Sequence, residues 1–99
     1  MEEGKIEAGK IEVTVDGRIA KVIATVKVGK RTHTIHAIGV GGRYPVTPPA
    51  YEALRSLMAM IEGYMAALNQ YGKPMDVYLA MLATKGKAEQ MRLDVDWRE

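Results

Sequence analysis

Apolar and polar residues alternate along much of the first forty positions. In the segment 10–15 the apolar residues are Ile11, Val13 and Val15, and the same period of two recurs over 18–28 and 31–40. This period is typical of a strand with one buried side. The pattern therefore predicts three consecutive β-strands.

Two short turn sequences separate the predicted strands. Asp16-Gly17 is a strong hairpin signal for a type I′ turn, and Gly29-Lys30 suits a type II′ turn, in which glycine comes first. In the resulting register Glu12 lies opposite Lys21, which is a favourable cross-strand pair. The three strands are therefore predicted to form an antiparallel meander.

Alternation also divides the meander into two faces. The face predicted to enter the core is aliphatic: Ile11, Val13, Val15, Ala20, Val22, Ala24, Val26, Val28, Ile35 and Ala37. The face predicted to meet water is rich in lysine and threonine: Lys10, Glu12, Thr14, Lys21, Ile23, Thr25, Lys27, Thr32, Thr34, His36 and Ile38. One face in the core and one in water is usual for an antiparallel sheet.

A glycine-rich segment, 39–46, is predicted to be a flexible link to a long helix. Thr47 is the predicted N-cap and Pro48 the first helical residue. The helix is predicted to run to about Tyr71, because a glycine and a proline follow it closely.

Two further strands are predicted after the helix. The segment 75–83 is a nearly continuous apolar run, and apolar and polar residues alternate over 91–97. The sequence thus predicts a single α+β domain over 1–99, with the element order β-β-β-α-β-β. Its antiparallel sheet would have about five strands, with one long helix packed across one face. The segment 1–9 would be partly flexible at the N-terminus.

The predicted helix has a wider apolar arc than a single sheet face requires. Its apolar residues form two adjacent stripes along the whole helix. The surplus predicts a second partner for the helix, most simply another copy of the chain. We therefore expect a homo-oligomer, a dimer or a tetramer. The predicted interface residues are Leu57, Met60, Tyr64 and Ala67.

Positive charge is concentrated in one part of the chain. The protein has a formal net charge of +2, yet the 34 residues 17–50 include six lysine and arginine residues and no acidic residue. A block of one sign in a nearly balanced protein indicates a field directed at a charged partner, and a phosphate backbone is the usual target. The alternative is an ordinary solvated face.

These residues supply the candidates for binding single-stranded DNA, or alternatively RNA, without sequence preference. The predicted phosphate contacts are Lys21, Lys27, Lys30, Arg31 and Arg43. Tyr44 is the predicted stacking platform for a base, with Trp97 beside Arg98 as the second choice. The side chains predicted to line the path between them are Thr25, Thr34 and His36.

No catalytic or metal-binding motif competes with this interpretation, so we expect neither an enzyme nor a cofactor. The chain has no cysteine, and Ser56 lies in the middle of the predicted helix. His33 and His36 are three residues apart on a strand and therefore point to opposite faces, which rules out a shared metal ion. The acidic residues Glu52 and Asp76 are separated by about 30 Å of helix.

Two other functions stay open at this point. A protein-interaction or inhibitor module would use the wide apolar face of the helix. A small-ligand or catalytic role would need a pocket lined by methionine and tyrosine between the helix and the sheet. We expect a cytoplasmic location, because the N-terminus is charged and no apolar run approaches the roughly 20 residues that cross a bilayer.

Taken together, these features resemble the ThermoDBP-related proteins, which are small archaeal single-stranded-DNA-binding proteins. The resemblance covers nearly the whole chain and is carried by its compact basic domain, its antiparallel sheet with a long helix, and a composition that is low in Asn and Gln, as in thermophiles. The seven methionines argue against a thermophilic origin, because methionine oxidises. The resemblance implies sequence-tolerant binding of single strands, no catalysis and a homo-oligomer.

Overall fold

The computed structural model describes residues 7–70 and 75–97. It contains five strands and two helices: β1 (Lys10–Asp16), β2 (Ile19–Val28), β3 (Arg31–Val40), β4 (Gly42–Arg43), β5 (Val46–Thr47), α1 (Pro49–Gln70) and α2 (Met75–Leu93). Strands β1, β2 and β3 form one antiparallel sheet in that order, and β4 and β5 form a separate two-stranded sheet. The predicted α+β class is confirmed.

The two tight turns of the meander differ in how well they were predicted. The Gly29-Lys30 turn is confirmed, since Val28 pairs with Arg31 and Gly29 has a φ of 62°. At the first turn, however, Asp16 pairs with Ile19, so Gly17 is the first turn residue, with a φ of 64°. A type II′ turn requires glycine at this first central position.

The register of β1 on β2 is therefore two residues away from the prediction. Glu12 lies opposite Ile23 rather than Lys21, and Lys21 lies opposite Thr14. Because the side-chain period of a strand is two, this shift leaves every side chain on its predicted face.

The core lies between the predicted apolar face of the sheet and the two helices. Its largest wholly buried side chains are Leu54, Leu57, Ile61, Met81, Val22, Val26 and Thr84. The predicted core residue Val15 is an exception, because it is exposed near the β1–β2 turn. Helix α1 crosses β2 and β3, and it lies close to β3 at Gly39, where an added Cβ would lie 2.0 Å from the backbone nitrogen of Ala53.

The two strands predicted after the helix are wrong, because both segments belong to α2. The run 75–83 consists mainly of Met, Leu, Ala and Tyr, and a short apolar run does not distinguish a buried strand from a buried helix. Helical spacing is visible in the residues that α2 buries: Val77, Ala80, Met81, Thr84 and Ala88. The segment 91–97 completes the helix and then leaves it without forming a strand.

The segment 39–46, predicted as a flexible link, instead completes β3 and then forms a small hairpin of β4 and β5. Thr47 does not cap α1, because its Oγ1 accepts a hydrogen bond from the N–H of Gly42 across the hairpin, at 2.7 Å. The helix begins one residue later than predicted, at Pro49, and the carbonyl of Pro48 accepts the N–H of Glu52. Tyr71, the predicted helix end, lies outside the described residues.

The N-terminal segment predicted to be partly flexible is fixed at its last residue. Gly9 is buried, its N–H donates to Thr84 Oγ1 at 2.8 Å, and its carbonyl accepts from Lys87 Nζ at 3.0 Å. Residues 1–6 of this segment lie outside the described residues. Across the described part of the chain, neither helix has the length and apolar character needed to cross a membrane.

Candidate functional site

Several of the predicted site residues share the sheet face that points away from the helices. Lys21, Lys27, Thr34 and His36 are exposed there, and Thr25 is half-buried. Strand pairing sets Thr25 directly opposite Thr34. We call this surface of β2 and β3 the open face.

The remaining predicted phosphate and base contacts lie at the two ends of the open face. Lys30 lies in the β2–β3 turn and Arg31 begins β3, whereas Arg43 and Tyr44 lie in the β4–β5 hairpin that follows the other end of β3. Since a strand rises about 3.3 Å per residue, the ten residues of β3 separate the two groups by roughly 30 Å. The structure therefore arranges the predicted residues as a track rather than as a compact pocket.

The cations of this track have no acidic partner among the described residues, whereas two cations on the helices do. On the helical side, Lys85 Nζ lies 2.6 Å from a carboxylate oxygen of Glu62, and Arg55 lies 3.5 Å from Glu52. Among the described residues, no ion pair is formed by the predicted phosphate contacts Lys21, Lys27, Lys30, Arg31 and Arg43. Their charge is therefore available to a ligand.

The side of the sheet formed by β1 is less suitable for an anion. Its water-facing residues include Glu12 and Asp16, and Lys10 Nζ lies 3.4 Å from a carboxylate oxygen of Glu12. The predicted phosphate contacts thus lie on β2, β3 and the segments at their ends, and acidic side chains border Lys27 on the β1 side.

The open face also carries an aliphatic patch that was not included in the predicted site. Ile19 and Val40 pair across β2 and β3, Ile38 lies opposite Lys21, and all three aliphatic side chains are about half exposed. Alternation in the sequence already predicted that Ile38 lies on the face that meets water. The corrected position of the first turn adds Ile19 to the same face. Apolar side chains on a basic surface can pack against the flat faces of bases.

Tyr44 is presented at the tip of the β4–β5 hairpin and is 97% exposed. Its peptide bond to Pro45 is cis. Arg18 anchors the base of this hairpin, because its guanidinium donates to the carbonyl of Gly41 at 2.6 Å and its own carbonyl accepts the N–H of Gly41 at 2.8 Å. Arg18, although in the acid-free segment, therefore has a structural role.

Trp97, the second stacking candidate, lies on the helical layer. Its ring packs edge-on against Tyr51 of α1 with ring centroids 4.9 Å apart, and the guanidinium of Arg92 lies 4.7 Å from the Tyr51 ring centroid. The structure thus does not bring Trp97 to the open face. Arg98 lies outside the described residues.

The predicted oligomer interface is wrong at Leu57, which is wholly buried inside the chain. The reason is that α1 packs against both β3 and α2. The stripe that includes Leu57 faces β3, where Ala53 meets Gly39. Met60 and Ala67 are exposed, while Tyr64 is half-buried, with its hydroxyl 2.8 Å from Nδ1 of His33. Much of the additional apolar surface of α1 is therefore buried within one chain.

His33 and His36 lie on opposite faces of β3, as predicted: His33 points towards α1 and His36 lies on the open face. Within 7–70 and 75–97, no three His, Cys, Asp or Glu side chains are grouped so that they could hold a metal ion.

Comparisons with models of protein families, with curated proteins and with solved structures gave no match to this chain.

Proposed function

We propose that this protein binds single-stranded nucleic acid in the cytoplasm, without catalysis and without sequence preference, and that it acts as a homo-oligomer. The observation that carries the proposal is the open face: an exposed surface with cations that have no acidic partner among the described residues. The resemblance to the ThermoDBP-related proteins points to the same class of ligand.

The phosphate backbone would follow β2 and β3. Lys21 and Lys27 lie on the same face six residues apart, and Thr25 lies between them opposite Thr34. Lysine and hydroxyl side chains bind phosphate and sugar without distinguishing one base from another. Binding through these groups would therefore be sequence-tolerant and would weaken steeply with salt.

The bases would pack on the apolar part of the surface. Tyr44 can stack on a base, and the patch of Ile19, Ile38 and Val40 can cover another. Base faces are accessible in a single strand, whereas in a duplex they are stacked on one another. The exposed apolar side chains therefore favour a single-stranded ligand over a double-stranded one.

The test is fluorescence anisotropy of labelled oligo-dT and of a duplex of equal length, at several salt concentrations. We expect tighter binding of oligo-dT, with an affinity that falls steeply as salt increases. Reversing two charges, with Lys21→Glu and Lys27→Glu together, should weaken binding. It should also lower the slope of log affinity against log salt by about 0.7 for each phosphate that the variant no longer neutralises.

A matched control changes the net charge equally on the helical side, with Arg55→Glu, Ala66→Glu and Asn69→Glu at exposed positions of α1. This control should bind oligo-dT much more tightly than the Lys21/Lys27 variant. Equal reductions of affinity in the two variants would show that only the overall charge matters. Equal or tighter binding of the duplex would contradict the single-strand assignment.

A further inference from the structure

Strand β3 is a ten-residue edge strand whose outer side pairs with no other described strand. In a two-residue hairpin the residues that flank the turn exchange backbone hydrogen bonds. Val28 and Arg31 flank the turn, so the odd-numbered residues of β3 bond to β2. The N–H and C=O groups of Thr32, Thr34, His36 and Ile38 therefore point outward along the sheet edge.

The other edge of the sheet, formed by β1, is covered by α2 where it begins and carries more charge. By the same alternation Gly9 points outward from β1, and its N–H and C=O are bonded to Thr84 and Lys87 of α2. Strand β1 also carries charged side chains at Lys10, Glu12 and Asp16. Proteins protect sheet edges with such cover and charge. In contrast, the described part of β3 has no proline and, between Thr32 and Val40, no lysine, arginine or acidic residue.

An apolar notch lies directly beside this unprotected edge. It is lined by Ile35, Met60 and Tyr64, with Thr34 and His36 at its rim. Met60 is 49% exposed although it is a large apolar side chain in the middle of α1. This notch is the methionine- and tyrosine-lined pocket that a small-ligand role would need, but it is open along the strand edge.

We propose that the edge of β3 and this notch bind the same surface of a second copy of the chain. An antiparallel pairing centred on Ile35 would place Thr34 opposite His36 of the second copy, with their outward backbone groups in hydrogen-bonding register. The same pairing sets Arg31 opposite Gly39, so the like charges do not meet. Around the axis, Met60 and Tyr64 of both copies would close the notch.

This arrangement is a closed two-fold dimer with a continuous six-stranded sheet. A self-complementary patch closes after two copies, whereas pairing of β3 with β1 of another copy would give open filaments. This proposal rests on one part of the proposed function, the formation of a homo-oligomer, and it assigns an interface to that oligomer. It also places the open faces of the two copies side by side.

The test is sedimentation equilibrium of the protein without nucleic acid. The wild-type chain should reach the mass of a dimer as its concentration rises and should grow no further. Met60→Lys places a charge from each copy beside the axis and should raise the dimer dissociation constant by at least about tenfold. Met75→Lys, at an exposed apolar position on α2, is the matched control and should dimerise normally.

A second pair of variants tests the strand edge itself. Thr34→Pro removes an outward N–H that the monomer does not use, so the chain should fold but stay monomeric. Val15→Pro makes the same change on the outer side of β1 and should leave the dimer intact. A monomeric wild-type chain, growth beyond a dimer, or a dimer that survives both Met60→Lys and Thr34→Pro would overturn the proposal. Oligo-dT binding by a monomeric wild-type chain would retain the nucleic-acid function while rejecting this interface.

Discussion

Thr84 is a polar residue that is wholly buried, and its hydroxyl forms both of its hydrogen bonds inside the protein. Its Oγ1 accepts the N–H of Gly9 at 2.8 Å and donates to the carbonyl of Ala80 at 2.7 Å. Thr84→Val keeps the shape but leaves the Gly9 N–H unpaired. We expect a decrease of about 1–3 kcal/mol in the free energy of unfolding, measured by urea denaturation.

The control for this prediction is Thr32→Val, at an exposed position on β3. Its effect should stay within about 0.5 kcal/mol, as for most surface substitutions. If Thr84→Val cost no more than Thr32→Val, the hydrogen bond between Thr84 and Gly9 would not stabilise the N-terminal end of β1.

Lys85 gives a second prediction at the scale of single residues. Its hydrogen bond to Glu62 raises the pKa of Lys85 above the ordinary value of 10.5. A raised pKa in the folded state means that the pair stabilises the fold below that ordinary value, and that the contribution disappears as the pH rises through the folded-state pKa.

Glu62→Gln should therefore lower the Tm modestly at pH 7 to 9, because the pair is near the surface. The difference between the wild-type chain and the variant should shrink above about pH 10.5. Thermal unfolding followed by circular dichroism across this range is the measurement. A difference that grows with pH would contradict the assigned ion pair.

At the scale of elements, the packing of α1 on β3 depends on one glycine. Gly39→Ala would bring a Cβ to within 2.0 Å of the Ala53 backbone, so the helix and the strand must separate. We expect a destabilisation of about 1–3 kcal/mol or more, as for other overpacked sites, measured by urea denaturation.

Gly86 in α2 provides the opposite control. It is exposed in the middle of a helix, and an added Cβ would meet nothing within 4 Å. Gly86→Ala should therefore stabilise the protein by about 0.5–1 kcal/mol. If both alanine variants changed stability in the same direction, the close approach of α1 to β3 would not be what Gly39 provides.

The elements show which parts of a fold can be predicted from local sequence. The meander was predictable because strict alternation and glycine turns determine strands, faces and approximate register. Its first turn was misplaced by one residue, since either residue of Asp16-Gly17 could begin the turn. Helix α2 was missed because its N-terminal half, 75–83, lacks polar residues at regular intervals, and its partner surface on α1 is a tertiary feature.

The charge of the candidate site could be predicted from the sequence, but which apolar residues the fold buries could not. The absence of acidic residues over 17–50 is visible in the sequence, and it identifies β2 and β3. Which apolar residues of α1 are covered depends on how the helix packs against β3 and α2, so Leu57 was placed at an interface although the chain buries it itself. Periodicity shows that a surface is apolar, but the identity of its partner comes from the fold.

At the scale of the whole molecule, the proposed dimer makes binding depend on the length of the nucleic acid. Two open faces side by side can hold one strand if the strand is long enough to reach both. Oligo-dT of about 30 nucleotides should therefore bind the wild-type dimer at least about 10²-fold more tightly than oligo-dT of about 8 nucleotides, because binding to the second face becomes intramolecular.

Met60→Lys separates this effect from the affinity of a single face. The variant should bind the short oligo-dT about as well as Met75→Lys does, since both add one positive charge, but most of the additional affinity for the long strand should disappear. Anisotropy titrations of both lengths at one salt concentration measure this directly. A full length-dependent increase in Met60→Lys would mean that a single chain binds the whole strand, and that the track along β3 extends beyond one open face.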